Sequence, residues 1–185
     1  LLTIDPDEFE RTVDIDLLGQ WRTIRATLPA LIDSRGHLVA VASIYSFING
    51  VLNASYAASK AGVEQLVRAL RVEAADHGVT AGSAFLGFVE TELASTVWEQ
   101  EHADQARSSL PDFVTRPMTV QDAAAAVLDG VERRRPSTTA PWWVGPALAA
   151  RGVLDLVDEY LIRNTGLLAA VRSAEEAQRH PAEHR

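Results

Sequence analysis

The chain has 185 residues, enough for one domain, with 47% hydrophobic and 23% charged residues, the ordinary balance of a globular protein. Zero cysteines exclude disulfides, cysteine nucleophiles and thiolate metal sites. A net charge of −8 argues against a nucleic-acid partner, which requires a basic face, and the longest apolar runs are too short for a transmembrane helix.

Asp5-Pro6-Asp7-Glu8 reads as a helix start: an N-cap aspartate, a proline at the first helical position and a glutamate at capping-box spacing. Apolar residues from Phe9 through Val13, Leu17, Ile24, Leu28 and Leu31 continue the helix to about Ser34, with Gly36 as the stop. His37 to Ser43 is a short apolar run, expected to be a strand buried on both faces. Residues 44–55 form a loop with Asn49, Gly50 and Asn53 as turn residues, and Tyr56 to His77 a long helix closed by Gly78. Val79 to Phe85 is the next strand, followed by a loop at 87–91 and a mixed polar region at 92–118. A helix then begins at Thr119 or Val120 and ends before Pro136. Arg133-Arg134-Arg135 complements its C-terminal dipole. Ala140 to Val144 reads as a last strand, and 146–172 as amphipathic helix with a break at 164–166. Residues 173–185 nearly lack apolar side chains and read as a flexible tail, leaving 1–172 as one domain portion. Alternating strands and helices make the fold α/β with a parallel sheet. Sites in such sheets form at the C-terminal strand ends, where Ser43 and the 86–91 loop both fall.

Three residues carry the chemistry. Ser43 closes an apolar strand, and Tyr56 and Lys60 follow in S-Y-A-A-S-K-A-G, four residues apart and therefore on one helical face. A tyrosine near its ordinary pKa of about 10 is a poor base at neutral pH, and a neighbouring ammonium favours the phenolate. Ser43 can hydrogen-bond a carbonyl or alcohol oxygen and hold it against the phenol. Any of the three alone would suit a structural role: a turn cap, a packing aromatic, a solvated lysine.

This arrangement resembles the short-chain dehydrogenase/reductase family over about residues 5–144. D-I-D-L-L-G at 14–19 is similar to the family's Asn-containing fourth-helix segment, and F-L-G-F-V-E-T-E-L at 85–93 to its Pro-Gly-x-x-x-Thr loop. The resemblance implies a Rossmann-like doubly wound sheet. It implies an NAD(P)-dependent oxidoreductase interconverting an alcohol and a carbonyl, with Ser43, Tyr56, Lys60 and, in the place of the family's asparagine, Asp16 as the catalytic set. Gly87, Val89 and Thr91, together with Tyr56 and Lys60, would contact NAD or NADP. Ile44, Tyr45 and Val51, with Ser43, would line a substrate pocket suited to an apolar alcohol or ketone. It further implies a cytoplasmic homodimer or homotetramer paired through the helices at 6–34 and 56–77, on which Val63, Leu66, Val67 and Leu70 supply apolar surface.

Two departures stand out. Asp16 occupies the place of the family's asparagine, which bends the helix and holds water linking the lysine to solvent; an aspartate has no amide donor and adds a negative charge. Leu86 replaces the proline before Gly87. The family's Gly-rich phosphate turn also has no counterpart among the eleven glycines. The chain therefore reads as lacking the family's strands one to four, and the competing reading is a non-catalytic dimerising or binding module. A membrane-surface role for 146–172 is disfavoured by its mixed charges. The five histidines show no metal-ligand spacing. Trp142 and Trp143 are expected in the core or at a subunit interface.

Overall fold

The computed structural model describes residues 1–91, 111–153 and 165–179. Its centre is a three-stranded parallel sheet in the order β1-β2-β3: β1 is His37–Ser43, β2 Thr80–Leu86 and β3 Ser137–Ala140. Register aligns Ser43 with Leu86 and Leu86 with Ala140, so all three strands end level and their following loops leave from one edge.

The first helix is continuous but not uniform. Asp5 caps α1 (Pro6–Val13), its carboxylate accepting from the backbone N–H of Asp7 and Glu8. Asp14–Leu18 then winds as a π-turn, in which the Gly19 N–H reaches back to the Asp14 carbonyl, and α2 (Gly19–Ser34) follows. At its end Arg35, not Gly36, takes the left-handed conformation, with φ 48°. The paired bonds Arg35 N–H to Ile32 and Gly36 N–H to Leu31 close the helix. Gly36 serves close approach instead: a Cβ there would lie 2.8 Å from Leu31 Cδ2.

Helix α3 (Ala54–Glu73) begins two residues before Tyr56, and a short 3-10 turn, Ala75–His77, carries the chain to Gly78. Residues aligned in register share a sheet face. Leu38, Ala40, Ala42, Ala81 and Phe85 therefore face α3. There Ile24, Ala40, Val63, Val67, Leu70 and Ala81 form one core cluster, and Ala42, Ile44, Phe85, Trp143 and Val144 another. On the opposite face α5 (Val120–Glu132), capped by Thr119, covers Leu86 and Ala140 through Ala123. On β1 that face is only partly covered: Ser43 is buried, but Val41 is 42% exposed. The expectation of a strand buried on both faces is thus corrected at Val41.

The last strand also lies earlier than expected, because Pro141 cannot donate to a ladder and the chain turns into α6 (Val144–Ala149). Between Asp112–Thr115 (α4) and α6, Trp143 is buried while Trp142 stands exposed beside Phe113. Of the basic triplet, Arg133 and Arg135 pair with Asp129 at 2.6 and 2.9 Å, and Arg134 donates to the Arg35 carbonyl at 2.8 Å. Helix α7 (Thr165–Arg179) runs past residue 173, where fraying was expected; alanine, glutamate, glutamine and arginine are strong helix formers without apolar contacts. Residues 154–164, which include the start of the expected break at 164–166, and most of the 92–118 region lie outside the described residues.

Candidate active site

Ser43 ends β1 and is 7% exposed. It caps the 3-10 turn Ile44–Ser46: its Oγ accepts the Tyr45 N–H at 3.3 Å, and Ser46 Oγ accepts the Ser43 N–H at 3.4 Å. Ser46 also donates to the Lys60 carbonyl at 2.9 Å, which pins the serine turn to α3. Sequence reasoning passed over Ser46, although the S-x-x-S spacing from Ser43 was readable as a capping box.

Tyr56 lies in the first turn of α3, and Lys60 one turn later with its side chain 9% exposed. The Lys60 ammonium sits 5.2 Å from the centroid of the Tyr56 ring. The same ammonium lies 3.1 Å from Asp16 Oδ1 on the π-turn. Tyr45 packs edge-on against Tyr56, ring centroids 5.8 Å apart, and against Phe88 at 6.3 Å. Tyr45 thus touches both Ser43, through its backbone N–H, and Tyr56, through its ring. The Tyr45 phenol is pushed above its ordinary range, chiefly by burial and then by Tyr56. It stays protonated at neutral pH, whereas the Tyr56 ring has the Lys60 ammonium beside it.

The other expected residues divide. Gly87 N–H donates to the Ala140 carbonyl at 2.8 Å, and a Cβ on Gly87 would lie 2.8 Å from Pro141 Cδ. Val89 bridges Met118, and Thr91 is exposed at the end of the same loop. Ile44, expected along a pocket, is 1% exposed and belongs to the core, leaving it no surface for a ligand. Val51 lines a hollow of about 370 Å³ with Leu2, Asn49, Leu52, Ala57 and Val171. A second hollow of about 370 Å³ lies against Ser46, Gly62, Glu64, Arg68 and Arg151. Neither is lined by Ser43, Tyr56 or Lys60. Among the described residues, no cluster of three histidine or carboxylate side chains could hold a metal, and no helix is long and apolar enough to cross a membrane.

The short chain dehydrogenase family model matches residues 1–102, which contain Asp16, Ser43, Tyr56 and Lys60. This chain belongs to the short-chain dehydrogenase family. It is 31% identical over 126 residues to a (3R)-3-hydroxyacyl-CoA dehydrogenase of Canis lupus familiaris, covering 66% of this chain and 48% of that protein. It is 30% identical over 91 residues to a trans-4-hydroxycyclohexanecarboxylate dehydrogenase of Sinomonas cyclohexanicum, covering 49% and 35%. The chain thus spans about half the length of such relatives, or less. A short chain dehydrogenase from Burkholderia cenocepacia in complex with NADP superimposes with a TM-score of 0.65 at 24% identity, covering 87% of this chain and 60% of that one. A short-chain dehydrogenase from Sphingobium yanoikuyae in complex with NADPH gives 0.63 at 22%, covering 89% and 59%. At these identities the likeness shows the fold: a short-chain dehydrogenase sheet with its parallel α/β order.

Proposed function

We propose that this chain carries the proton-transfer site of an NAD(P)-dependent oxidoreductase that interconverts an alcohol and a carbonyl. The observation that carries the reading is the buried ammonium of Lys60 held 5.2 Å from the Tyr56 ring, one helical turn along α3. The named relatives act on hydroxy compounds, which supports the same reaction class.

The residues present suit the reactive end of a nicotinamide cofactor. Lys60 is a buried cation with the Tyr56 phenol ring beside it, and Tyr45, which packs on Tyr56, also packs on Phe88 of the loop after β2. Tyr56, Lys60, Gly87, Val89 and Thr91 would hold it there; no glycine-rich turn for its pyrophosphate occurs in the sequence. When bound, the nicotinamide supplies hydride exchange with the carbinol carbon. Tyr56 takes the hydroxyl proton during oxidation and returns it to the carbonyl oxygen during reduction. Lys60 favours the phenolate by its charge. Ser43 already accepts the Tyr45 N–H, so its own hydrogen serves to donate to the substrate oxygen.

A homo-oligomer accompanies this reading. Of the residues expected to supply its surface, Val63, Val67 and Leu70 are core, at 6% exposure or less, and Leu66 is half-buried against them. Exposed apolar side chains lie instead at Ile15, Leu18 and Trp21 along the first helix and at Val72 on α3, and these are proposed to form the contact.

The test is Tyr56→Phe in the full-length protein. Turnover of secondary alcohols with NAD or NADP should fall by at least about a hundredfold, the scale of general acid–base catalysis, while the circular dichroism spectrum is unchanged. Near-normal turnover would remove Tyr56 from its role.

A further inference from the structure

Asp16 is drawn into the site by backbone geometry. The π-turn widens the helix at Asp14–Leu18, and from it Asp16 Oδ1 meets Lys60 Nζ at 3.1 Å. Single π-turns of this kind gather at functional positions. The lysine side chain is 9% exposed and the aspartate 28%, so solvent screens the pair only partly.

The neighbouring charges are otherwise engaged. On the same turn, Asp14 pairs with Arg22 at 2.7 Å. One turn further along α3, the Glu64 carboxylate is held by Arg151, with Arg68 at 3.9 Å. From the 3-10 turn the approaching titratable group is Tyr45, which stays a neutral phenol. The charge acting on Tyr56 is therefore that of an ion pair, not of a lone ammonium.

We propose that Asp16 is a positioning residue acting through Lys60: by offsetting the ammonium charge, it sets the pH at which the site becomes competent to take a proton. This rests on Tyr56 and Lys60 being the proton-transfer pair. A carboxylate beside the ammonium weakens the cation's pull on the phenolate, so removing the carboxylate strengthens it.

Asp16→Asn keeps an acceptor oxygen and the side-chain shape while removing the charge. Asp16→Ser removes the charge with a smaller side chain, so a folding defect in one variant leaves the other to report. Asp16→Glu keeps the charge. In the full-length protein, the midpoint of the pH profile of kcat/KM for alcohol oxidation should move to lower pH by about one unit in the Asn and Ser variants. In Asp16→Glu it should stay nearer the wild-type position. Tyrosinate absorbance, titrated in the same proteins and corrected with Tyr56→Phe, should show the same displacement without requiring turnover. A midpoint unmoved or raised by loss of the charge, in either readout, overturns the inference. Turnover retained in Tyr56→Phe would instead overturn the reading on which it rests.

Discussion

The Arg151 guanidinium closes on the Glu64 carboxylate and fastens the turn after α6 to the middle of α3. Glu64 is 6% exposed, and Arg68, its second cation, stands 3.9 Å away with half its side chain in solvent. Arg151→Met would strand a buried carboxylate. Breaking a fully buried pair costs about 3–5 kcal/mol, and the 40% exposure of Arg151 lowers the expectation to about 1–2 kcal/mol. Glu64→Gln leaves two partly exposed cations unpaired and no buried charge, and should cost less. Urea denaturation of the two variants checks the order; equal losses would show that the pair's burial does not govern its contribution.

Gly82 is the tightest point in the sheet. A Cβ there would lie 2.0 Å from the Arg135 carbonyl oxygen, where β2 passes the backbone leading into β3. The obstacle is backbone, so no rotamer change relieves it. Gly82→Ala should destabilise the domain by about 1–3 kcal/mol, the scale of overpacking, or prevent its folding. An unchanged denaturation midpoint would mean that the 135–136 segment shifts freely.

These features bear on what the chain's sequence discloses. The strand–helix rhythm, the Asp5 cap, the helix start at Thr119 or Val120 and the Ser43–Tyr56–Lys60 spacing are local patterns, and most of the described elements fall within a few residues of where they predict. Gly36 reads as a helix stop and Gly50 as a turn residue, yet Arg35 and Leu52 take the positive φ values, 48° and 61°. The two glycines are small because Leu31 and Ala57 press on them. Local propensity cannot distinguish these uses, since the second depends on a neighbour that only the fold supplies. The same holds for Glu64–Arg151, 87 residues apart, and for the burial of Ile44. Asp16 was legible as a departure in residue type, but its reach to Lys60 depends on the π-turn.

His37 should make stability depend on pH. Its pKa is lowered from 6.5, first by burial and then by Arg134, with Arg71 adding to the effect. Its Nδ1 meets Thr80 Oγ1 at 2.8 Å, while Nε2 is buried with no hydrogen-bond partner among the described residues. A base whose folded pKa is depressed binds fewer protons folded than unfolded. The stabilising contribution is thus complete above pH 6.5 and is lost as pH falls through the lower folded value. Wild type should therefore lose more stability than His37→Gln between pH 7.5 and 5.5 in chemical denaturation. A parallel loss in both proteins would assign the dependence to other groups.

The proposed oligomer makes a separate demand. Ile15 is 61% and Trp21 44% exposed, both on the first helix, with the Arg25 guanidinium 5.8 Å from the Trp21 ring. Twofold pairing would place each such patch against its own copy. The double variant Ile15→Lys, Trp21→Lys brings like charges together and should convert a dimer or tetramer of the full-length protein to monomer in sedimentation at micromolar concentration. A monomer before mutation would sink the proposal.

The 185-residue chain by itself should neither bind dinucleotide well nor remain dispersed. Among the described strands β1 pairs with β2 alone, so its other edge presents backbone donors and acceptors beside the exposed Val41. Such an edge templates pairing with another chain. The sequence also offers no glycine-rich turn leading into a helix N-terminus to receive a pyrophosphate. Titration of this chain with NADH and NADPH, followed by fluorescence, should show no binding at micromolar concentrations. Light scattering should show self-association that Val41→Lys reduces, because a charge on an edge strand opposes edge-to-edge pairing. Micromolar binding by the chain alone would mean that its dinucleotide site is built from residues other than a glycine-rich turn. Association undiminished by Val41→Lys would point to the exposed first helix as the surface responsible.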